Sequence, residues 1–427
     1  MSLMKDSGIE WIDKIPSNWA VLRNKYNFDL NKNIVGAAYK DTQLLSLTKN
    51  GVKEITEDDQ KGKVPTSFAT YQTVDKDDII MCLFDLDVSA VFSGISPYEG
   101  MISPAYKCFK CKEHLFPQYI DYYFRTVFVD RKYKRYSKNV RYSIGTDEFM
   151  ALPITVPPLE VQKSIANFLD QKCTEIDSIF ADIQSQINVL EEYKKSIITE
   201  AVTKGLNPDV EMKNSGVGFI GDIPMSWSVL RMKNIGSYRN GLTYSPSDLC
   251  DETEGTIVLR SSNIQNGKLA FEDNAYVSAT IPKQLFVNEN DILICSRNGS
   301  QKLVGKSAII PKNINASFGA FMMIFRCNNK ALPKYAYYLL NSGVFSYYLA
   351  SFFTSTINQL TGQNFGNMKV PFCHNIEEQK SIIEYLDQKC TEIEAVIIDK
   401  KTQLQTLAEY KKSLIYEYVT GKKEIVS

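Results

Sequence analysis

The sequence predicts an α+β fold in which two pseudo-twofold-related α/β domains are separated by an antiparallel coiled coil of two long helices. Three observations carry that expectation. The octet LDQKCTEI occurs at residues 169–176 and again, letter for letter, at 386–393. An opening block recurs as well, Ile15-Pro16-x-x-Trp19 and Val21-Leu22-Arg23 returning as Ile223-Pro224-x-x-Trp227 and Val229-Leu230-Arg231. Around and beyond each octet, apolar residues fall at heptad spacing, the pattern of helices that pair along a seam.

The bulk numbers allow this. A chain of 427 residues exceeds the size at which one core keeps growing. Hydrophobic residues make up 44% and charged residues 23%, an ordinary globular balance, and no run approaches the roughly 18 apolar residues of a membrane span. A soluble, cytoplasmic protein with no membrane partner is expected, since the amino terminus lacks a secretory h-region. Nine cysteines, scattered and odd in number, favour reduced thiols over a disulfide framework. Lys plus Arg equals Asp plus Glu at 49 each, so any nucleic-acid partner must be argued from where the charges sit.

The chain is a doubled unit. Residues 162–177 match 379–394 at 12 of 16 positions without a gap. Between the repeated blocks the copies diverge. They keep islands such as Asp78-Ile79-Ile80-Met81-Cys82 beside Asp291-Ile292-Leu293-Ile294-Cys295, and Phe116-Pro117-Gln118-Tyr119 beside Leu332-Pro333-Lys334-Tyr335. The order is opener and variable domain (1–155), long helix (156–204), then a second domain (205–370) and a second helix (371–427). Pro-x-x-Trp reads as a packed turn with Trp19 and Trp227 as core anchors. Each variable segment mixes short β-branched and aromatic runs with Gly, Asn and Pro, and carries one helix after its proline, over 118–133 and 334–351.

In the first long helix Leu169, Ile176, Ile183, Leu190 and Ile197 fall every seven residues, with Cys173, Phe180 and Ile187 as companions. The second has Leu386, Ile393, Leu407 and Leu414 with Cys390, Ile397 and Leu404, and puts Lys400 where the remaining apolar residue would stand. One-sided stripes of this kind need a partner helix. Direction follows from reach: a helix over 162–200 is roughly 57 Å long, whereas the connecting residues 201–215 extend to about 50 Å at most. An antiparallel pair needs no return path and sets the two domains at opposite ends of a rod. The octet's identical polar letters, Asp170-Gln171-Lys172 and Thr174-Glu175, are expected to form a shared partner surface, with a purely structural role as the alternative.

Catalytic patterns do not occur: there is no phosphate-binding loop, dinucleotide fingerprint, nucleophile elbow or zincin helix. The two histidines, His114 and His374, are not equivalent. Cys108-x-x-Cys111 with His114 lacks a fourth ligand, so no metal and no cofactor is expected. A binding protein is expected rather than an enzyme. Its candidate surface is basic. Arg131, Lys132, Lys134, Arg135, Lys138 and Arg141 crowd together around Tyr133 and Tyr136 with no acid between them. The second domain has Arg297, Lys302, Lys306 and Lys312 around Asn298, Ser300 and Gln301, and later Asn358, Gln359, Gln363 and Asn364. Arg and Lys suit phosphates or guanine, while Asn and Gln suit adenine, so both sets fit a surface that reads duplex DNA in the major groove. A duplicated coiled-coil adaptor that joins two proteins and never touches DNA is the alternative.

With these residues in view, the chain resembles the specificity subunit of type I restriction-modification systems. The resemblance rests on Ile15-Pro16-x-x-Trp19 and Ile223-Pro224-x-x-Trp227, and on Val156-Pro157-Pro158-Leu159-Glu160-x-Gln162 leading into the first helix. The second lead-in, Val370-Pro371 through Ile376-Glu377-Glu378-Gln379, lacks the Pro-Pro-Leu. The resemblance implies that the variable segments are target-recognition domains for a bipartite, asymmetric DNA sequence and the helices conserved spacers. It also implies no catalysis of the chain's own, and partners in two adenine methyltransferase subunits, which use S-adenosylmethionine, and through them in restriction subunits.

Overall fold

The computed structural model describes residues 3–49, 51–56, 59, 65–89, 91–137, 142–353 and 358–425. The chain packs as two compact units, Met1–Gln184 with Thr402–Ser427, and Ser185–Lys401. Each unit therefore owns one variable domain and a portion of each long helix, Leu159–Lys204 and Ile376–Val419.

In the first unit, one four-stranded sheet orders Phe28–Leu30, Lys107–Cys111, Ile79–Met81 and Ser93–Ile95. A second orders Gly51–Ile55, Leu44–Thr48, Gly100–Ile102 and Gln72–Val74, with one parallel pairing, Met101 opposite Leu44. The second unit repeats the first arrangement as Gly236–Asn240, Met322–Cys327, Ile292–Cys295 and Ser307–Ile309. It likewise has a second sheet with one parallel pairing, Val258 opposite Ser317. The first sheet is thus duplicated although the sequences have drifted, whereas the second sheets share a parallel pair that is central in the first unit and at the edge in the second. Central strands such as Ile79–Met81 and Ile292–Cys295 are wholly buried, which explains their unbroken apolar letters. In each unit the opener's strand pairs with the strand that leads into the long helix, Ala20–Arg23 with Pro153–Val156 and Ser228–Arg231 with Lys369–Phe372.

The helices after the prolines are shorter than the apolar pattern predicts. Pro117–Val129 gives way to a 3-10 turn over Lys132–Tyr136, with Arg131 between them in the left-handed region. In the second unit the single helix expected over 334–351 is two, Pro333–Leu339 and Gly343–Phe352. The break falls where the Ser342 hydroxyl donates to the Leu339 carbonyl (2.7 Å), and where the Gly343 N–H donates to Thr199 Oγ1 of the long helix (2.7 Å). Side-chain competition for backbone groups ends a helix in this way.

The long helices run antiparallel. Within the first unit Phe168 stacks near Tyr418, ring centroids 4.6 Å apart, and Asp177 pairs with Lys411 at 2.6 Å, so the numbering rises on one helix as it falls on the other. Within the second unit Lys194 pairs with Glu394, and Ile197 lines one recess with Tyr385. Leu169, Cys173, Ile176, Ile183, Ile187 and Ile197 are buried, as are Leu386, Cys390, Ile393, Ile397 and Leu414. Leu190, Leu404, Leu407 and Lys400 are half-buried, Lys400 occupying its seam position as a partly covered stem.

Two fully buried glutamines fix each domain to its helix. Gln162 accepts from the Phe116 N–H (2.8 Å) and donates to the carbonyls of His114 (2.9 Å) and Pro157 (2.8 Å). Gln379 accepts from the Leu332 N–H (2.8 Å) and donates to the carbonyls of Lys330 (2.9 Å) and Cys373 (2.8 Å). The octet adds a second tie: Tyr122 donates to Asp170 (2.7 Å) and Tyr338 to Asp387 (2.5 Å). Its other polar letters bond within their own helix, Gln171 and Lys172 to Glu175, and Gln388 and Lys389 to Glu392. Much of the octet's identity is therefore internal structure.

The openers anchor as their pattern predicts. Trp19 and Trp227 are buried, and the Pro-x-x-Trp turn closes through the Trp19 N–H to Pro16 (3.0 Å) and the Trp227 N–H to Pro224 (2.9 Å). Gly205 and Gly421 end the long helices at φ +75° and +69°, conformations that favour glycine, and a Cβ on Gly421 would press on Pro16 and Trp19 of the adjoining opener.

Candidate nucleic-acid interface

In the first unit the basic run is built on the turn after Pro117–Val129. Its cations acquire partners that the linear sequence keeps far away. Arg135 pairs with Glu10, and Lys132 pairs with Asp130 at 3.2 Å. Lys412 also reaches Asp130, at 2.8 Å, and although burial pushes the other way, the two lysines hold the Asp130 carboxyl below its usual range. Arg131 lies 4.3 Å from the Phe128 ring and donates to the Leu86 carbonyl, while Lys134 lies 4.2 Å from the Tyr142 ring. Tyr133 is buried and stacks edge-on with the half-buried Tyr136 at 5.8 Å. Lys138 and Arg141 lie outside the described residues.

In the second unit the structure gathers residues from five separate segments around one recess of about 780 Å³. Leu242 to Tyr244 follow the strand Gly236–Asn240, Arg260 and Ser261 follow Thr256–Leu259, Arg297 to Gly299 follow Ile292–Cys295, and Gly319 to Met322 and Asn358 complete the wall. The loops meet because Leu242 bridges Gly319 and Arg297 bridges Gln359. Asn298 is held at both ends, its Nδ2 donating to Ser261 Oγ (3.1 Å) and its Oδ1 accepting from the Ser300 N–H (2.9 Å). Asn358 Nδ2 donates to the Gly299 carbonyl at 3.2 Å. Arg260 is paired with Asp273 at 2.9 Å.

Of the residues expected there, Arg297, Asn298 and Asn358 line the recess, and Gln359 flanks it through its bridge. Ser300, Gln301 and Lys302 are exposed on the same loop. Lys306 lines a different cleft, with Lys194, Lys195 and Glu394 of the long helices. Lys312 pairs with Glu289 at 3.7 Å, and Gln363 and Asn364 sit in the short helix Gly362–Asn367. Sequence reasoning missed Thr243, Tyr244, Arg260, Ser261 and Phe321. Arg260 and Ser261 carry a weak signal, polar letters directly after the buried end of a β-branched strand, but only the parallel pairing of Val258 with Ser317 brings them beside the turn that presents Phe321.

Cys108 and Cys111 sit on the strand Lys107–Cys111, where burial pushes both thiols up to about 12, and His114 Nε2 is 2.9 Å from Asn27 Oδ1. Among the described residues no three His, Cys, Asp or Glu side chains are grouped to hold a metal ion. Among them too, no helix is long and apolar enough to cross a membrane.

Residues 224–403 match the family model described as the type I restriction modification DNA specificity domain. The chain is 28% identical over 283 residues to the type I restriction enzyme MjaVIII specificity subunit of Methanocaldococcus jannaschii, covering 64% of this chain and 63% of that one. It is 24% identical over 206 residues to the EcoKI specificity subunit of Escherichia coli K12, covering 47% and 44%. The matches thus span less than two thirds of the length of these curated relatives. A solved structure from work on complex assembly and conformational transition of the type I R-M system shares the fold, with TM-score 0.69, 15% identity and coverage of 96% of this chain and 99% of that one. These matches make the chain similar to the specificity subunits of type I restriction-modification systems, the family its duplicated openers and octets resemble, with residues 224–403 carrying the match to the family model.

Proposed function

We propose that this chain is the DNA-recognition subunit of a cytoplasmic type I restriction-modification complex. It reads a bipartite, asymmetric duplex target, one half-site per variable domain (1–155 and 205–370), and has no catalysis of its own. Two methyltransferase subunits, and through them restriction subunits, are its protein partners. One observation carries this reading: two domains built on the same four-stranded sheet order hang on matched helices through equivalent glutamine clamps, yet present unlike residues at their loop surfaces. Such an arrangement suits a target whose halves differ in sequence. Each domain would enter the major groove, with the two half-sites about one helical turn apart, and the length of the paired helices would set the gap.

The test maps methylated sites by methylation-sensitive sequencing in cells that express the chain with its methyltransferase. A two-part motif with a fixed gap is expected, and removing one heptad from each long helix should change the gap while both half-site sequences persist. An unchanged gap rejects the spacer role. Absence of any motif favours the protein adaptor.

A further inference from the structure

We infer that the recess of the second unit is a guanine-reading site built on Arg297. The inference rests on the DNA-recognition reading above and adds to it one residue, one base and one edge.

Among the polar groups of the recess, most are already engaged. Asn298 uses both ends of its amide to shape the loop, Asn358 donates to Gly299, and Arg260 is paired with Asp273. The composition argument that asparagines here read adenine therefore gives way: Asn298 positions the loop. Arg297 differs. It is exposed, and among the described residues no carboxylate pairs with it. Its backbone is pinned from two sides, because the N–H groups of Ser296 (2.9 Å) and Arg297 (3.1 Å) both donate to the Phe321 carbonyl while the Gln359 bridge flanks it. Its guanidinium lies 5.1 Å from the centroid of the Phe321 ring, a ring left 56% exposed in the turn between the strands Ala316–Phe318 and Met322–Cys327.

Contact with an aromatic ring restricts the swing of the guanidinium plane. A planar donor fork of restricted orientation matches an edge with two adjacent acceptors. In the major groove guanine offers that edge through O6 and N7, whereas adenine sets a donor beside its acceptor and would oppose one arm of the fork. A phosphate accepts a cation from many directions and needs no such restraint. That role suits the exposed Lys302 on the same loop.

The test selects bound sequences from a duplex library randomised across both half-sites, using the full-length chain assembled with its methyltransferase subunits. The expected wild-type result includes a strict guanine at one position. Arg297→Ala should relax that position by about 5- to 150-fold and leave the others unchanged. Arg297→Lys, which keeps the charge but not the fork, should relax it as well, and because Arg297 is exposed both variants should keep the wild-type circular dichroism spectrum. A uniform loss of affinity with every preference intact, or rescue of the preference by lysine, would make Arg297 a phosphate contact and overturn the inference. Unaltered guanine selection in both variants also overturns it. If the wild-type complex shows no sequence preference at all, the proposed function falls and this inference with it.

Discussion

Asp78 and Asp291 stand beside the same central strand in the two units, each 1% exposed, but their electrostatic settings differ. Asp291 takes a two-pronged bond from Arg326, at 2.6 and 2.7 Å. At the corresponding position the first unit has Lys110, whose ammonium lies 3.8 Å from Asp75. What the two carboxylates share is a turn: Asp78 accepts from the Asp75 N–H (3.0 Å) and Asp291 from the Asn288 N–H (2.7 Å). The comparison teaches that the fold requires an acceptor at this turn and tolerates it with or without a counterion. Without one, burial raises the Asp78 carboxyl above its ordinary value, against the opposing effect of the Asp75 N–H.

Three pairs of substitutions sharpen or break the comparison of the units. The largest effect is expected where they agree. Gln162→Ala and Gln379→Ala each remove three hydrogen bonds and strand buried backbone groups, and should cost about 4 kcal/mol apiece. Hydrogen exchange would register this at Pro153–Val156 and Lys369–Phe372; a large loss in one unit and none in the other would show that the clamps are not equivalent.

Where the units differ, the expected effects diverge. Asp291→Asn should destabilise its sheet by about 2 kcal/mol as Arg326 loses its charged partner. Asp78→Asn should instead stabilise its own sheet at neutral pH. The sign follows from linkage: a carboxyl whose pKa is higher in the folded state takes up a proton on folding, so stability falls as pH rises from the ordinary value of 3.8 through the raised one. Asp78→Asn should flatten that part of the pH profile in exchange measurements on Ile79–Met81, and a steeper profile would contradict the assignment. The smallest effect concerns salt. Lys302→Gln should lower the salt slope of DNA binding by about 1, whereas Arg135→Gln, already paired with Glu10, should change it less. Equal slopes for the two variants would mean that Glu10 does not compete with phosphate.

The scaffold was legible in the sequence where its rules are periodic or repeated. Heptad spacing located Leu169, Ile176, Leu386 and Ile393 in the seam, and the limited reach of residues 201–215 implied the antiparallel sense that the Asp177–Lys411 and Lys194–Glu394 pairs display. The helix break at Ser342 was not legible, because the apolar pattern runs through it and the cause is a hydroxyl bonding back to Leu339. The basic runs were visible, but not the acids that fold onto them: Glu10 is far from Arg135 in sequence. The recess was hidden for the same reason. Its residues come from five segments, and only Arg297 to Gly299 with Asn358 fell in stretches whose composition drew notice.

The clamps have one more implication. Gln162 and Gln379 grip only main-chain atoms of the domains they hold, at His114 and Phe116 in one case and Lys330 and Leu332 in the other. Such a socket is blind to side-chain identity. A foreign head could be mounted on either shaft if its backbone follows the same path before the proline and supplies a tyrosine to meet Asp170 or Asp387. Beyond that collar a replacement would need only the few contacts that reach the helices, such as Asp130 with Lys412 or the Gly343 N–H with Thr199, and the rest of its surface could be exchanged as one cassette while the mounting stays untouched.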